Sequence, residues 1–406
     1  MNPASVSELI GWVIEAGLAG KSETTILDGF CRRAVAAGLP ITRGALIIDT
    51  LHPIHEGRLF RWRADAVPGL IELLEYGPTN EGEAAENWRH SPFFRMLEEG
   101  SSLLRRRLFG AEPADFPALA DHQNEGMTDY LALINRFAAH GVVGEMDCVY
   151  SYWVTDRPDG FEERHVEALV GLMPKLALAI KCVSLGRIAE TLVETYLGRD
   201  AGRRVLGGLI RRGVTETISA ALWYSDLRDF TRITDQAEPR HIIPFLNDYA
   251  EAVISAVHDH GGDVLKLIGD GVLAVFTGDT NEMACGHAIS AEAALRHRLA
   301  KLNLRRTDEG LPTTETYLGL HVGDVFYGNI GSKDRLDFTV VGPAVNEVSR
   351  IASMCRSVDR SVLISEAFAE AMTEPQRARL VSVGRYALRG VDRPQHLFTL
   401  DSPAPE

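Results

Sequence analysis

Residues 261–276 read GGDVLKLIGDGVLAVF. Two short apolar runs, VLKLI and VLAVF, flank Gly269-Asp270-Gly271. A Gly/Asp turn between such runs predicts a β-hairpin. Upstream, TISAALWYS (217–225) reads as a strand. Residues 239–260 place Ile242, Leu246, Tyr249, Val253 and Val257 on one helix face. Downstream come a helix at about 284–302, strands in TYLGLHVGDVFYGNIG and LDFTVVG, and a helix in PAVNEVSRIASMC. Strand, helix, hairpin, helix, strands predict an α+β fold: one sheet with helices packed on it.

The 406 residues exceed one core at about 100–200 residues per domain, so two domains are expected. Residues 1–185 form a mixed α/β region. Helical spacing covers 5–16 and 23–37, GALIID (44–49) and CVYSYWV (148–154) read as strands, and FEERHVEALVGLMPKLALAIKCV reads as a helix that Pro174 should kink. That segment is the most apolar long stretch. It carries Glu167 and Lys175 and has a helical apolar face, which predicts a packed helix and no membrane span. Residues 186–215 turn helical, then glycine-punctuated and basic, as a signalling linker or an inert tether would. The second domain is expected over 216–402.

With 42 basic and 56 acidic residues the formal net charge is −14, which argues against nucleic acid as a partner. The five cysteines form no close pair, predicting reduced, buried thiols in a cytoplasmic protein. The start of the chain does not read as a secretion signal.

Three pieces of the second domain carry chemistry. In SDLRDFTRIT (225–234), Asp226 closes an apolar strand before a turn. A carboxylate there suits a hard cation, and the backbone N–H groups of Leu227 to Thr231, Phe230 among them, suit phosphate oxygens; Asp226 alone also fits a helix cap. Asp270 at the hairpin tip would add a second carboxylate, although Asp is also an ordinary turn residue. Lys266 sits in an apolar strand, where burial is costly unless its charge is accepted. Asn346 and Arg350 lie four apart on one helix, a pairing that suits a sugar oxygen and a phosphate, or simply a solvated surface.

Together DLRDFT, KLIGD and GPAVNEVSR, in this order and spacing, resemble the class III adenylate and guanylate cyclases over roughly 215–400. The resemblance implies a ferredoxin-like βαββαβ catalytic domain working as a homodimer. It implies ATP as substrate and two Mg²⁺ or Mn²⁺ ions per site. Asp226, Asp270 and Leu227 match the metal-binding positions, and Lys266 and Thr339 the purine selectors. Phe230, Thr231 and Arg389 match substrate contacts, Asn346 the ribose-orienting group, and Arg350 the transition-state cation. Many members have Asp where Thr339 stands, with Asp337 two residues earlier here; threonine resembles a subgroup of adenylate cyclases. A guanylate cyclase, or an inactive regulatory protein of the same fold, is the alternative. GGDVL and GKS (20–22) are similar to diguanylate-cyclase and P-loop signatures only in fragments.

The strand before RPDG and the helix after it resemble the end of a GAF-like sensor domain, which implies a small-molecule ligand or a dimerising role. The loop pair His52 and His55 reads as structural, and LLRRRL (103–108) as a solvated basic face.

Overall fold

The computed structural model describes residues 2–108, 115–137, 143–144, 146–391 and 393–400. The chain divides into two compact units, Met1–Leu192 and Val193–Glu406.

The first unit comprises α1 (Pro3–Leu18), α2 (Glu23–Ala36), β1 (Arg43–Asp49), β2 (Gly57–Arg63), β3 (Glu72–Tyr76), α3 (Gly82–Arg89), α4 (Pro92–Glu98), β4 (Leu103–Arg107), α5 (Pro117–Asn124), β5 (Asp129–Arg136), β6 (Cys148–Thr155) and most of α6 (Glu163–Leu197). Its six strands form an antiparallel sheet in the order β3-β2-β1-β6-β5-β4. The central strands β1 and β6 are buried on both faces, so they lack apolar–polar alternation. Phe30, Trp153, Leu169 and Ile180 belong to the core on one face, and Phe93, Met96 and Tyr130 to the core on the other.

Three features differ from the sequence reading. The run LLRRRL contains strand β4, whose Arg107 is exposed as expected while Arg105 and Arg106 are half-buried. Its Arg105 reaches the fully buried Asp129 at 2.8 Å, and Arg107 reaches the same carboxylate at 3.2 Å. Helix α6 continues through Pro174 and past residue 185 to Leu197, so the segment read as a linker begins inside a helix. By length and composition α6 could cross a bilayer, while its Leu169, Leu172, Met173, Leu176 and Ile180 are buried in the unit's core. Among the cysteines, four are buried and Cys182 is exposed. The His52 and His55 rings stack, and His52 Nδ1 accepts from the Ile54 N–H at 3.1 Å, a turn-forming role.

The second unit holds α7 (Arg199–Leu206), β7 (Thr215–Leu227), α8 (Phe230–Gln236), α9 (Pro239–Asp259), β8 (Gly262–Ile268), β9 (Gly271–Phe276), α10 (Asn281–Asp308), β10 (Thr316–Gly331), β11 (Leu336–Val341), α11 (Pro343–Val358), β12 (Val362–Ser365), α12 (Glu366–Ala371), α13 (Glu374–Arg377), β13 (Leu380–Tyr386) and β14 (Gln395–Leu400). Eight strands form one sheet in the order β13-β14-β12-β10-β7-β9-β8, with β11 paired to β10. The segment β7-α9-β8-β9-α10-β10 is the expected βαββαβ unit, its four strands adjacent in the sheet.

Alternation along β7 separates two cores. Ala221 and Trp223 join Phe245, Phe276 and Leu295 beneath α9 and α10. Ala220 and Leu222 join Tyr327, Phe338 and Val348 on the face that carries α11. Helix α11 lies close on β10 because Gly319 has no side chain. A Cβ there would stand 2.6 Å from the Val348 carbonyl oxygen and 2.7 Å from the Ala352 nitrogen.

Candidate active site

Strands β7 and β9 are antiparallel neighbours, with Ser225 opposite Val272. The end of β7 bearing Asp226 therefore lies beside the turn bearing Asp270. That turn closes with Ile268 opposite Gly271. Gly269, its first central residue, takes φ +64°, a conformation that favours glycine.

The Leu227 N–H donates to Asp270 Oδ2 at 3.3 Å. Burial, the hydrogen bond with Asp270 and the charge of Asp270, in that order, push Asp226 up to about 7. Two carboxylates this close cannot both ionise without cost. Tyr224, two residues back on the same face, is raised by burial and by both carboxylates.

Asp226, Leu227 and Asp270 line a cavity of about 190 Å³ with Asn247, Leu267 and Thr316. The Thr316 hydroxyl is buried there with no hydrogen-bond partner among the described residues. A crowded carboxylate pair and an orphaned hydroxyl fit a hard divalent cation, which takes oxygen ligands. Asp226 and Asp270, with the Leu227 carbonyl, would hold it. Such an ion supplies positive charge to phosphate oxygens and acidifies a bound hydroxyl. Among the described residues no group of three or more His, Cys, Asp or Glu side chains is placed to hold a metal ion. The protein's share is thus small, as for Mg²⁺ sites completed by water and substrate phosphates. Phe230 and Thr231 open the short helix α8 beyond Asp226; Phe230 stacks on Phe245 with ring centroids 6.3 Å apart, and Thr231 is exposed.

Lys266 departs from expectation. It is not buried: its side chain is 45% exposed and pairs with the Asp337 carboxylate. The β8–β9 register shifts between Val264 and Lys266. Leu265, at the shift, enters the core with Leu273 and Phe338. Lys266 lies opposite Leu273, on the face towards β11. On β11, Phe338 and Val340 point into that core, so Asp337 and Thr339 project together from the other side. In the sequence Asp337 stands only as a neighbour of Thr339, and its pairing with Lys266 emerges from the fold. Their spacing of two on a strand was the available signal.

On α11, Ala344, Val348, Ile351 and Cys355 face inward, Asn346 is exposed and Arg350 half-buried. Arg350 forms no ion pair among the described residues, and neither does Arg389, which is exposed beyond β13. The predicted residues therefore fall into separate groups. The cavity holding Asp226, Leu227 and Asp270 includes none of Lys266, Thr339, Asn346, Arg350 or Arg389.

Residues 214–402 match the family described as adenylate and guanylate cyclase catalytic domain. An adenylate cyclase of Anabaena cylindrica is 31% identical over 167 residues, 41% of this chain and 33% of that protein. Adenylate cyclase 1 of Rhizobium meliloti is 31% identical over 145 residues, 36% of this chain and 22% of that protein. The chain thus spans a third or less of the length of these relatives. Among solved structures, the guanylyl cyclase Cya2 is similar at 27% identity and TM-score 0.41, covering 46% of this chain and 93% of its own. The adenylyl cyclase CyaB from P. aeruginosa is similar at 23% identity and TM-score 0.42, covering 47% and 97%. Residues 214–402 thus match the class III adenylate/guanylate cyclase catalytic domain, and adenylate cyclases are among the similar proteins.

Proposed function

We propose that the chain is an adenylate cyclase, a lyase that converts ATP to 3′,5′-cyclic AMP and pyrophosphate in a homodimer. One observation carries the reading: a half-buried carboxylate pair, Asp226 and Asp270, at the strand ends of a cyclase domain whose Arg350 has no carboxylate partner among the described residues. Two Mg²⁺ or Mn²⁺ ions held at the carboxylates would neutralise the triphosphate and acidify the ribose 3′-hydroxyl. Asn346 orients the ribose. The 3′-oxygen attacks the α-phosphorus as the bond to pyrophosphate breaks, and Arg350 stabilises the charge that develops. Thr231 and the backbone at Phe230 face the phosphates, and Arg389 takes a terminal phosphate.

Lys266 and Thr339 favour adenine: an ammonium donates to a ring nitrogen, and a hydroxyl accepts from the exocyclic amine. Separation of the two residue groups within one protomer supports a site shared between two copies. Each site takes Asp226 and Asp270 from one chain and Lys266, Thr339, Asn346 and Arg350 from the other. Exposed apolar residues border both groups: Ile243, Leu267 and Ile268 near the carboxylates, Phe326 and Val341 beside Thr339. For the first unit we infer a GAF-like regulatory domain, which the six-stranded antiparallel sheet with helices on both faces supports. Its signal would pass through α6 and the segment to residue 215. We take α6 as a core helix, and the unpaired thiols accord with the cytoplasm.

The test is product formation by the full chain with Mn²⁺ and either ATP or GTP. Cyclic AMP should dominate, and Lys266→Glu with Thr339→Cys should erode the preference. Equal turnover of both nucleotides by the unmodified protein refutes the substrate assignment.

A further inference from the structure

Lys266 and Asp337 are joined across β8 and β11 although both are nearly half exposed, at 45% and 43%. An ion pair so open to water contributes little to stability, about 0–1 kcal/mol. The fold nevertheless goes out of its way to make it. Without the one-residue shift at Leu265, Lys266 would share a face with Val264, which packs against the α9–α10 core. The shift turns Lys266 to the face towards β11, where its ammonium meets the Asp337 carboxylate.

An ammonium has three donors and a carboxylate has two acceptor oxygens. The pair uses one N–H of Lys266 and Oδ2 of Asp337. Further N–H donors and Oδ1 remain, so a donor and an acceptor stand side by side in a fixed order. Adenine presents a ring acceptor, N1, beside an amino donor, N6. Guanine presents the reverse: the N1–H donor beside the O6 acceptor. A fixed donor–acceptor pair matches one order and sets donor against donor and acceptor against acceptor in the other.

We propose that Asp337 is a specificity-determining residue of this site: it holds Lys266 in position and offers its own free oxygen beside it, so that Lys266, Asp337 and Thr339 together read the adenine edge. This rests on the cyclase reading above. Thr339 alone is a weak selector, because a hydroxyl both donates and accepts and so tolerates either base. A carboxylate only accepts, and it supplies the repulsion against the O6 oxygen of guanine.

The experiment measures kcat/KM for ATP and GTP on the full chain with Mn²⁺, for the unmodified protein, Asp337→Asn, Thr339→Val and the swap Lys266→Asp with Asp337→Lys. An amide presents either polarity, so Asp337→Asn should lower the ATP:GTP ratio about tenfold or more, the scale of one mismatched buried polar contact. The loss should fall mainly on KM for ATP. Thr339→Val should lower the ratio less. The melting temperature should hold, since the pair is open to water. The swap keeps an ion pair but reverses donor and acceptor, so it should move the preference towards GTP. A merely structural pair would instead restore the preference for ATP. An Asp337→Asn ratio within about twofold of the unmodified protein, below the cost of one hydrogen bond, overturns the proposal. So does a swap that restores ATP preference, and this second arm decides the matter if Asp337→Asn fails to fold. An unmodified protein that turns over neither nucleotide refutes the cyclase reading itself; selective turnover with an unmoved Asp337→Asn ratio refutes this inference alone.

Discussion

Lowering the pH from 8 to 6 should weaken divalent-cation binding, and one carboxyl group sets the size of the effect. Burial and the neighbouring Asp270 hold Asp226 at about 7. A group titrating there is roughly 90% ionised at pH 8 and roughly 10% at pH 6, and only the ionised form is a ligand, so the apparent dissociation constant should rise about tenfold. The assay is calorimetric titration of Mn²⁺ into the nucleotide-free full chain, in two buffers of different ionisation enthalpy. At pH 6.5 the first ion should release roughly 0.8 proton, the fraction of Asp226 still protonated. Asp270→Asn removes the second and third causes of the shift and leaves burial. Binding should weaken at every pH, and its pH response should move to lower pH. Linkage gives a second readout. A raised carboxyl contributes stability that is full below the ordinary carboxylate range, near pH 4, and is lost as pH rises through about 7. Relative to Asp226→Asn, the metal-free protein should therefore lose stability between pH 5 and 8, and saturating Mn²⁺ should abolish the loss. Equal affinity at pH 6 and pH 8, with no proton released, would refute the account of the carboxylate pair.

Other outcomes follow from the divided site and the packing. Asp226→Ala should abolish cyclase activity, and Arg350→Ala should lower it by about 10²–10³, the usual cost of a transition-state donor. Mixing the two variants under subunit exchange should restore about a quarter of unmodified activity, because half the dimers are mixed and each has one intact site; no recovery despite proven exchange counts against a shared site. Gly319→Ala should push α11 off β10, destabilising the second unit by about 1–3 kcal/mol in thermal melts and lowering kcat; an unchanged melt and rate would show that the helix position is not fixed by this contact. Residues 193–406 alone should bind nucleotide but turn it over at an altered rate, and identical constants would exclude regulation by the first unit.

Much of the second unit was legible because its signals are local. The Gly-Asp-Gly turn, the β7 strand and the apolar face of α9 each fix their own structure within a few residues. Asp226 and Asp270 came together as expected because β7 and β9 are neighbours in a βαββαβ sheet. What the sequence hid depends on distant partners or single-residue register. The direction of Lys266 turns on one shift at Leu265, and no residue type announces it. Arg105 looked solvated because its partner Asp129 lies 24 residues away on the adjoining strand. The continuity of α6 was hidden by its change of environment: its first turns pack in the core of the first unit, its last are half-buried or exposed, and the backbone continues through both.

The exposure of Cys182 gives the native chain a single reporter position. Cys31, Cys148, Cys285 and Cys355 are buried, and burial raises each of those thiols, so little reactive thiolate forms on them near neutral pH. A maleimide or a methanethiosulfonate spin label should thus attach once, on α6, with no cysteine replaced first. That helix begins in the first unit and ends at Leu197 in the second. In a dimer the two labels would be related by the twofold axis, and one distance distribution would record how the paired helices move when nucleotide is added.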